Sequence, residues 1–518
     1  MGNKQDAVKL QERKERFKLG GGPEKVARQH AKGRLTARER VEKLLDPGTF
    51  LEIGLLGHSD DHAIAEKSAG DGMVAGYGKI EGRTVGVVAH DKTVMSGTGG
   101  HTGGMKQGRV VTRCEMRGWP LITLGDGGGG RVHTLLGVRN AGVGAGYMGN
   151  IKREPRLMPI ITAILGECYG DPAFRSGLSD FIIVTKGAAV GISGPPVIRA
   201  GIGESITDEE LGGWEVHAKN GQASRIAENE EDCFKIIRDL LGFLPSNAAL
   251  PPPVKPTKDP PDRREESLLT IVPDQINRAY DMVSLVRRVV DDGIVFPVRP
   301  DFGKCVHTLL GRFNGQPTGI IASNPLYQAG AVDADGCDKV RLFIELCGTF
   351  NLPLVFFHDI PGMLVGTKVE RERMITRAMD MMVAHANATV PKITVYIRKS
   401  YGLGTYAMNA MGAMTDLVVA WPSAEISFMG AEPAVKLVFR REWEATPEAE
   451  RDAFVERKVQ EFRVGTSAWA AGGMMIVDDV IDPRDTRRVI IQGLELGMGA
   501  YPDWSEQKRL IREQRFMR

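Results

Sequence analysis

The sequence predicts an α/β fold made by internal duplication, with two copies of one strand-turn-helix unit in tandem. Three observations carry that expectation. Short apolar runs ending in Asp and then Gly recur, strand-like and helix-like patterns alternate along the chain, and the two halves match at a fixed offset.

The repeated stretch reads Trp119-Pro-Leu-Ile-Thr-Leu-Gly-Asp126-Gly-Gly-Gly129 in the first half and Leu352-Pro-Leu-Val-Phe-Phe-His-Asp359-Ile-Pro-Gly362 in the second. Each is the pattern of a buried strand delivering a tight turn to the edge of a sheet. At an offset of 233, residues 85–129 and 318–362 are identical at ten positions, among them Gly86/Gly319, Gly97/Gly330, Cys114/Cys347, Asp126/Asp359 and Gly129/Gly362. Average composition gives about three. Farther on, at an offset of 232, Pro159 to Gly170 matches Pro391 to Gly402. A period this long signals a duplicated domain, not a solenoid.

Residues 4–45 are charged with helical spacing, and Thr36 followed by Glu39 forms a capping-box pattern ahead of Val41. From Phe50 to Val94 the text turns to short β-like runs broken by glycine, including Gly72 to Gly82 and Thr84 to Ala89. Strands are expected at Leu121 to Leu124, Ile160 to Leu165, Phe181 to Val184 and Ala188 to Ile192. Residues 249–266 are proline-rich and charged and read as a semi-rigid linker, dividing the chain into domains 1–248 and 267–518. In the second copy, strands are expected at Ile294 to Phe296, Thr318 to Ala322 and Leu354 to Phe357. One helix is expected over 370–387, with Met374, Ala378, Met381, Met382 and His385 on or near one face as core.

Composition narrows the partners. Lys and Arg number 67 against 65 Asp and Glu, so nothing favours nucleic acid or an anionic membrane. Six cysteines without a C-x-x-C pair argue for reduced thiols and against a zinc ribbon, and Cys114 and Cys347 read as small buried hydrophobes. No apolar run reaches the roughly 18 residues of a membrane span, and no signal-peptide core precedes the charged start. The expectation is a soluble protein of the cytoplasm. Glycine is the informative excess, at 63 of 518 residues, and points to close approaches of backbone to backbone or ligand.

Among the motifs, Gly144-Ala-Gly146-Tyr-Met-Gly149 spells a dinucleotide fingerprint but lacks the strand that must precede it. His101, His133 and His358 lie beside turns and read as polar turn residues; no metal spacing accompanies them. The glycine turns Gly127 to Gly130 and Tyr401 to Tyr406 remain. Such turns are either structural or aim backbone N–H groups at an oxyanion, such as a thioester enolate.

With these residues in hand, the chain resembles the carboxyltransferase (beta) subunits of biotin-dependent acyl-CoA carboxylases and the related decarboxylase subunits of sodium pumps. Gly33-Arg-Leu-Thr-Ala-Arg-Glu-Arg-Val-Glu-Lys-Leu-Leu-Asp-Pro-Gly-Thr-Phe50 is similar to the family's N-terminal signature. Asp126 to Arg131, Glu209 to Gly213, Asp359 to Gly366 and Trp421 to Gly430 are similar to four more of its motifs. The resemblance implies two tandem crotonase-like domains, each a ββα superhelix, in a dimer-based assembly that is often a hexamer. It implies that the first domain takes acyl-CoA while the second, from a neighbouring subunit, receives carboxybiotin. Carboxybiotin releases CO2, the biotin anion removes the α-proton, and the enolate attacks CO2.

Carried over by position, Gly128 and Gly129 hold one oxyanion and Leu403 and Gly404 the other. Thr405, Tyr406, Ala407 and Tyr169 form the acyl-binding wall, and Gly402 and Gly362 belong to the biotin side. The chain departs from the pattern at Cys168-Tyr-Gly-Asp-Pro-Ala173 and Val132 to Leu136, both in the acyl-binding half, which hints at an unusual acyl substrate. The sequence contains no A-M-K-M biotinylation motif, so a biotin carboxylase and a biotin carrier are expected as partners on other chains. Two alternatives stand beside carboxylation: the decarboxylase of a sodium pump, and a non-catalytic assembly partner.

Overall fold

Thr36 starts a helix because its hydroxyl accepts the Glu39 N–H at 3.3 Å while the Glu39 carboxylate accepts the Thr36 N–H at 2.7 Å. The capping box expected from sequence therefore opens α3 (Ala37–Leu44), after α1 (Asn3–Lys18) and α2 (Pro23–Ala31). The computed structural model describes residues 3–131, 134, 158–410, 412 and 415–498. The dinucleotide-like motif at 144–149 and His133 lie outside them. The chain divides into two compact units, Met1–Leu250 and Pro251–Arg518.

In the first unit an eight-stranded sheet takes the order β1-β2-β3-β4-β5-β6-β8, with β7 paired to β5. Its strands are β1 (Leu51–Glu52), β2 (Met73–Ile80), β3 (Arg83–His90), β4 (Leu121–Gly127), β5 (Ile160–Tyr169), β6 (Phe181–Thr185), β7 (Ala189–Gly191) and β8 (Arg225–Ala227). Helices α4 (His101–Arg117), α5 (Asp171–Gly177) and α6 (Glu230–Phe243) interleave with them. β2 and β3 are antiparallel and β3 to β6 run parallel, so both faces need cover and the strands are almost wholly buried.

The second unit repeats this plan in the order β16-β14-β13-β12-β11-β10-β9, with β15 on β13. The strands are β9 (Phe296–Val298), β10 (Val306–Phe313), β11 (Gln316–Ser323), β12 (Leu354–Ile360), β13 (Lys392–Tyr401), β14 (Leu417–Ala420), β15 (Glu425–Ser427) and β16 (Asp479–Val480). Helices α7 (Ala334–Thr349), α8 (Thr367–Arg371), α9 (Met374–Asn387) and α10 (Gly402–Ala407) complete it. The duplication extends to register: Gly86 faces Leu121, and Gly319 faces Leu354. An irregularity falls between Gly125 and Gly127 in β4 and between His358 and Ile360 in β12, so each copy bulges at its Asp.

The residues shared by the copies have packing reasons. A Cβ on Gly86 would lie 2.2 Å from Cys114 Sγ, and one on Gly319 2.5 Å from Cys347 Sγ. The repeated glycine thus makes room for the repeated cysteine, and both thiols are buried as expected. Lys106 and Lys339 each bury their ammonium and donate to a strand carbonyl, Met73 O and Val306 O, both at 2.6 Å.

Two expectations change. The helix expected over 370–387 is two, α8 and α9, separated by Arg373 in the left-handed region at φ 63°. His358 is not a turn residue: it lies inside β12 with no exposed surface. The proline-rich stretch lies along the second unit, with Lys255 N donating to Gly315 O at 3.0 Å and Arg312 Nη1 to Pro253 O at 2.9 Å.

Candidate active site

Each unit brings its two glycine turns into contact. In the first, Gly129 has φ 80°, and a Cβ there would lie 2.8 Å from Tyr169 O and 3.1 Å from Gly170 Cα. In the second, a Cβ on Gly404 would lie 2.8 Å from Ile360 Cδ1 and 2.9 Å from Gly362 Cα. The turn after each bulged Asp therefore packs on the start of the helix that follows β5 or β13, and only glycine permits the approach.

Behind the turns the two aspartates are anchored differently. Asp359 accepts Arg398 Nε at 3.0 Å and Nη2 at 2.8 Å, from the adjacent strand β13. The position equivalent to Arg398 is Gly166, where a Cβ would lie 2.1 Å from Asp126 Oδ1. Asp126 instead accepts Arg40 Nη1 at 2.8 Å and Gln29 Nε2 at 3.0 Å, from α3 and α2. Arg40 is itself held by Glu230 through Nε and Nη2 at 2.9 and 2.7 Å. Burial opposes its charge, but Glu230 and Asp126 outweigh it and raise its pKa.

The N–H groups separate the candidates. α10 opens at Gly402, so the Leu403 and Gly404 N–H groups precede any intrahelical acceptor, and none of the described residues accepts them. Leu403 is 41% exposed. The first unit differs: the Gly128 N–H donates to Ser96 O at 3.2 Å, which removes it as an oxyanion donor in this geometry. The Gly129 N–H meets no acceptor among the described residues. By the repeat, Leu403 and Gly404 correspond to Asp171 and Pro172, and proline has no N–H to offer.

The remaining candidates sort by burial. Tyr406 is 57% exposed, whereas Ala407 is fully buried and cannot line a substrate wall. Tyr169 donates its hydroxyl to Asp208, and burial followed by that bond raises its pKa. Tyr401 repeats the arrangement, donating to Glu425 Oε2 at 2.9 Å. These phenols are committed to scaffold bonds. Gly402, at φ 55°, packs on Phe428 O, and Gly362 O accepts the Val332 N–H at 3.2 Å.

Sequence reading missed what holds α10. His358 donates Nε2–H to Met408 O at 2.7 Å, and His385 donates Nε2–H to Ala407 O at 2.7 Å, satisfying carbonyls at the helix end. Burial lowers His358 to about 4 and His385 to about 3, so both rings are neutral. His358 Nδ1 is then an acceptor, taking the Ser400 hydroxyl proton at 3.1 Å, and Ser400 Oγ lies 3.0 Å from Thr405 Oγ1. The only signal was a histidine placed between an apolar run and the Asp that follows it.

Among the described residues there is no group of acidic, cysteine or histidine side chains placed to hold a metal, and no helix long and apolar enough to cross a membrane. The carboxyl transferase domain family matches residues 28–509. The chain is 38% identical to the methylmalonyl-CoA decarboxylase subunit alpha of Veillonella parvula, over 94% of each chain. It is 37% identical to the propionyl-CoA carboxylase carboxyltransferase subunit of Haloferax mediterranei, over 94% of this chain and 95% of that one. Among solved structures, the transcarboxylase 12S hexamer with methylmalonyl-coenzyme A and methylmalonic acid bound superposes with a TM-score of 0.91 at 34% identity, covering 97% of each chain. The resemblance read from the motifs holds, as does the two-domain crotonase-type fold it implied: this chain belongs to the carboxyl transferase family and is a carboxyltransferase subunit of the biotin-dependent acyl-CoA carboxylase type.

Proposed function

We propose that this chain moves CO2 between carboxybiotin and the α (or vinylogous) carbon of an acyl-CoA, with the first unit serving the thioester and the second the ureido group. Carboxybiotin supplies the CO2 and the base; the chain supplies position and N–H donors. The observation that supports this is the pair of adjacent Leu403 and Gly404 N–H groups, free of acceptors where Gly404 must be glycine. Two parallel donors suit a single carbonyl oxygen that gains negative charge. Tyr406, exposed beside them, would contact the ligand, and Thr405, 7% exposed, would do so through its hydroxyl edge. In the first unit the Gly129 N–H, with that of Asp171, would face the thioester oxygen.

The biotin carboxylase and the biotin carrier would come from partner chains, and the assembly would be a dimer-based hexamer. The decarboxylating direction is the second reading, favoured by the name of the Veillonella relative. The test is to purify the chain from its host, probe co-eluting proteins with streptavidin, and give the complex ATP, labelled bicarbonate and a panel of acyl-CoAs. Label fixed into one acyl-CoA supports carboxylation. A biotinylated partner without fixation favours decarboxylation, and the absence of any biotinylated partner overturns both.

A further inference from the structure

The duplication supplies an internal control for the first unit's site. At His90, Gln107, Asp171 and Arg175 the second unit has Ser323, Val340, Leu403 and Ala407. Four positions that are small or apolar in one copy are polar or charged in the other, and they cluster. Gln107, on the inner face of α4, donates Nε2–H to Asp171 Oδ2 at 3.3 Å, and Arg175 Nε reaches the same oxygen at 3.4 Å. His90 ends β3 against the glycine turn, where a Cβ on Gly127 would lie 3.3 Å from its own Cβ. After burial, which lowers the His90 pKa, the strongest influence on the ring is the Asp171 carboxylate.

The cluster is incompletely satisfied. Among the described residues no hydrogen bond reaches Gln107 Oε1 or either ring nitrogen of His90, although the Leu124 backbone lies near enough to the ring to favour its charged form; each of the two residues is 1% exposed. Buried polar atoms rarely stay unpaired, because each lost hydrogen bond leaves a desolvation penalty uncompensated. The orphans lie next to Gly127 and to Asp171, which follows the Gly129 and Gly170 contact, so they adjoin the turns assigned above to the thioester.

We propose that His90, Gln107 and Asp171 form a polar subsite in the first unit that takes a hydroxyl group carried on the acyl chain of the CoA thioester. The location rests on the reading that this unit receives acyl-CoA. The chemistry follows from the atoms. A neutral imidazole offers one donor and one acceptor, and Gln107 Oε1 offers a further acceptor. Asp171 already pairs with Arg175, so no uncompensated charge calls for an ionic ligand. A hydroxyl is uncharged and both accepts and donates, so it can pair the ring N–H and one of the two acceptors; a hydrocarbon chain leaves every orphan unpaired.

The test compares 3-hydroxybutyryl-CoA with butyryl-CoA, by equilibrium binding to the purified chain and by kcat/KM in the complex with its biotinylated partner. The hydroxylated thioester is expected to bind about tenfold more tightly or better. Replacing His90→Ser together with Gln107→Val, the second unit's residues, is expected to bring the ratio near one; Gln107→Leu alone serves if that variant does not fold. Equal binding of the two thioesters, or a preference that survives both variants, overturns the proposal and leaves a site that holds only water. The carboxyltransfer reading is judged separately by turnover: preferential binding with no label transfer in either direction overturns that reading and not this one.

Discussion

Arg40 and Asp126 form an ion pair of 2.8 Å in which neither side chain is more than 1% exposed, 86 residues apart in sequence. It performs in the first unit the task that Arg398 and Asp359 perform in the second, but its arginine comes from the N-terminal helices. Glycine at 166 leaves the space that this exchange needs.

Removing the arginine should therefore be severe. Arg40→Leu strands the Asp126 and Glu230 carboxylates and is expected to lower the unfolding free energy by about 3–5 kcal/mol. Urea denaturation measures it, and a midpoint like that of the unaltered chain would contradict the pairing.

The Gly86 and Cys114 contact invites a double-mutant cycle. Gly86→Ala pushes a methyl into Cys114 Sγ and is expected to cost about 1–3 kcal/mol. Cys114→Ala trims the obstructing atom, so the double variant should be more stable than the sum of the two single losses predicts. Strict additivity would argue against the close approach.

Leu403→Pro removes one N–H from α10 at a first-turn position where proline is tolerated. The side chain is substantially exposed, so the ring has room. Turnover is expected to fall roughly a hundredfold or more, with circular dichroism and oligomer size retained. Unimpaired turnover would eliminate this N–H as an oxyanion donor.

Acid should loosen α10. Burial lowers His358 from 6.5 to about 4 in the folded chain. Between those values the unfolded ring binds a proton that the folded ring refuses, so stability present above pH 6.5 declines as pH falls toward 4. For His358 alone the full loss is about 3 kcal/mol. Denaturation midpoints from pH 7 to 4 measure the slope. His358→Gln, which can keep an N–H for Met408 O, should flatten it, and a slope insensitive to that change would refute the neutral buried ring.

Much of the fold was legible in the sequence because its determinants are local. An apolar run closed by Asp and Gly identifies a strand and its turn at Asp126 and Asp359, and Thr36 with Glu39 identifies a helix start. The helix division at Arg373 was not legible, since Glu370 to Arg373 is a run of charged residues with no Gly or Pro to mark a break. The family was legible for the same local reason: contiguous motifs survive as text.

The candidate site was legible only as positions. Sequence alone singled out Gly128, Gly129, Leu403 and Gly404, all with the same backbone donor. Whether that donor is free depends on what the chain brings within about 3 Å of it. Ser96 O takes the Gly128 N–H, and no described residue takes those of Leu403 and Gly404. His90 and Gln107, 17 positions apart on a strand and a helix, become one cluster only when α4 packs on the sheet beside Asp171. The sequence by itself determined the duplication, the strand ends and the family, because periodicity and motif are properties of neighbouring residues. Which N–H groups stay open, which arginine neutralises Asp126 and which polar atoms are left unpaired were decided by tertiary structure, because hydrogen bonding and burial depend on distances the chain acquires only on folding.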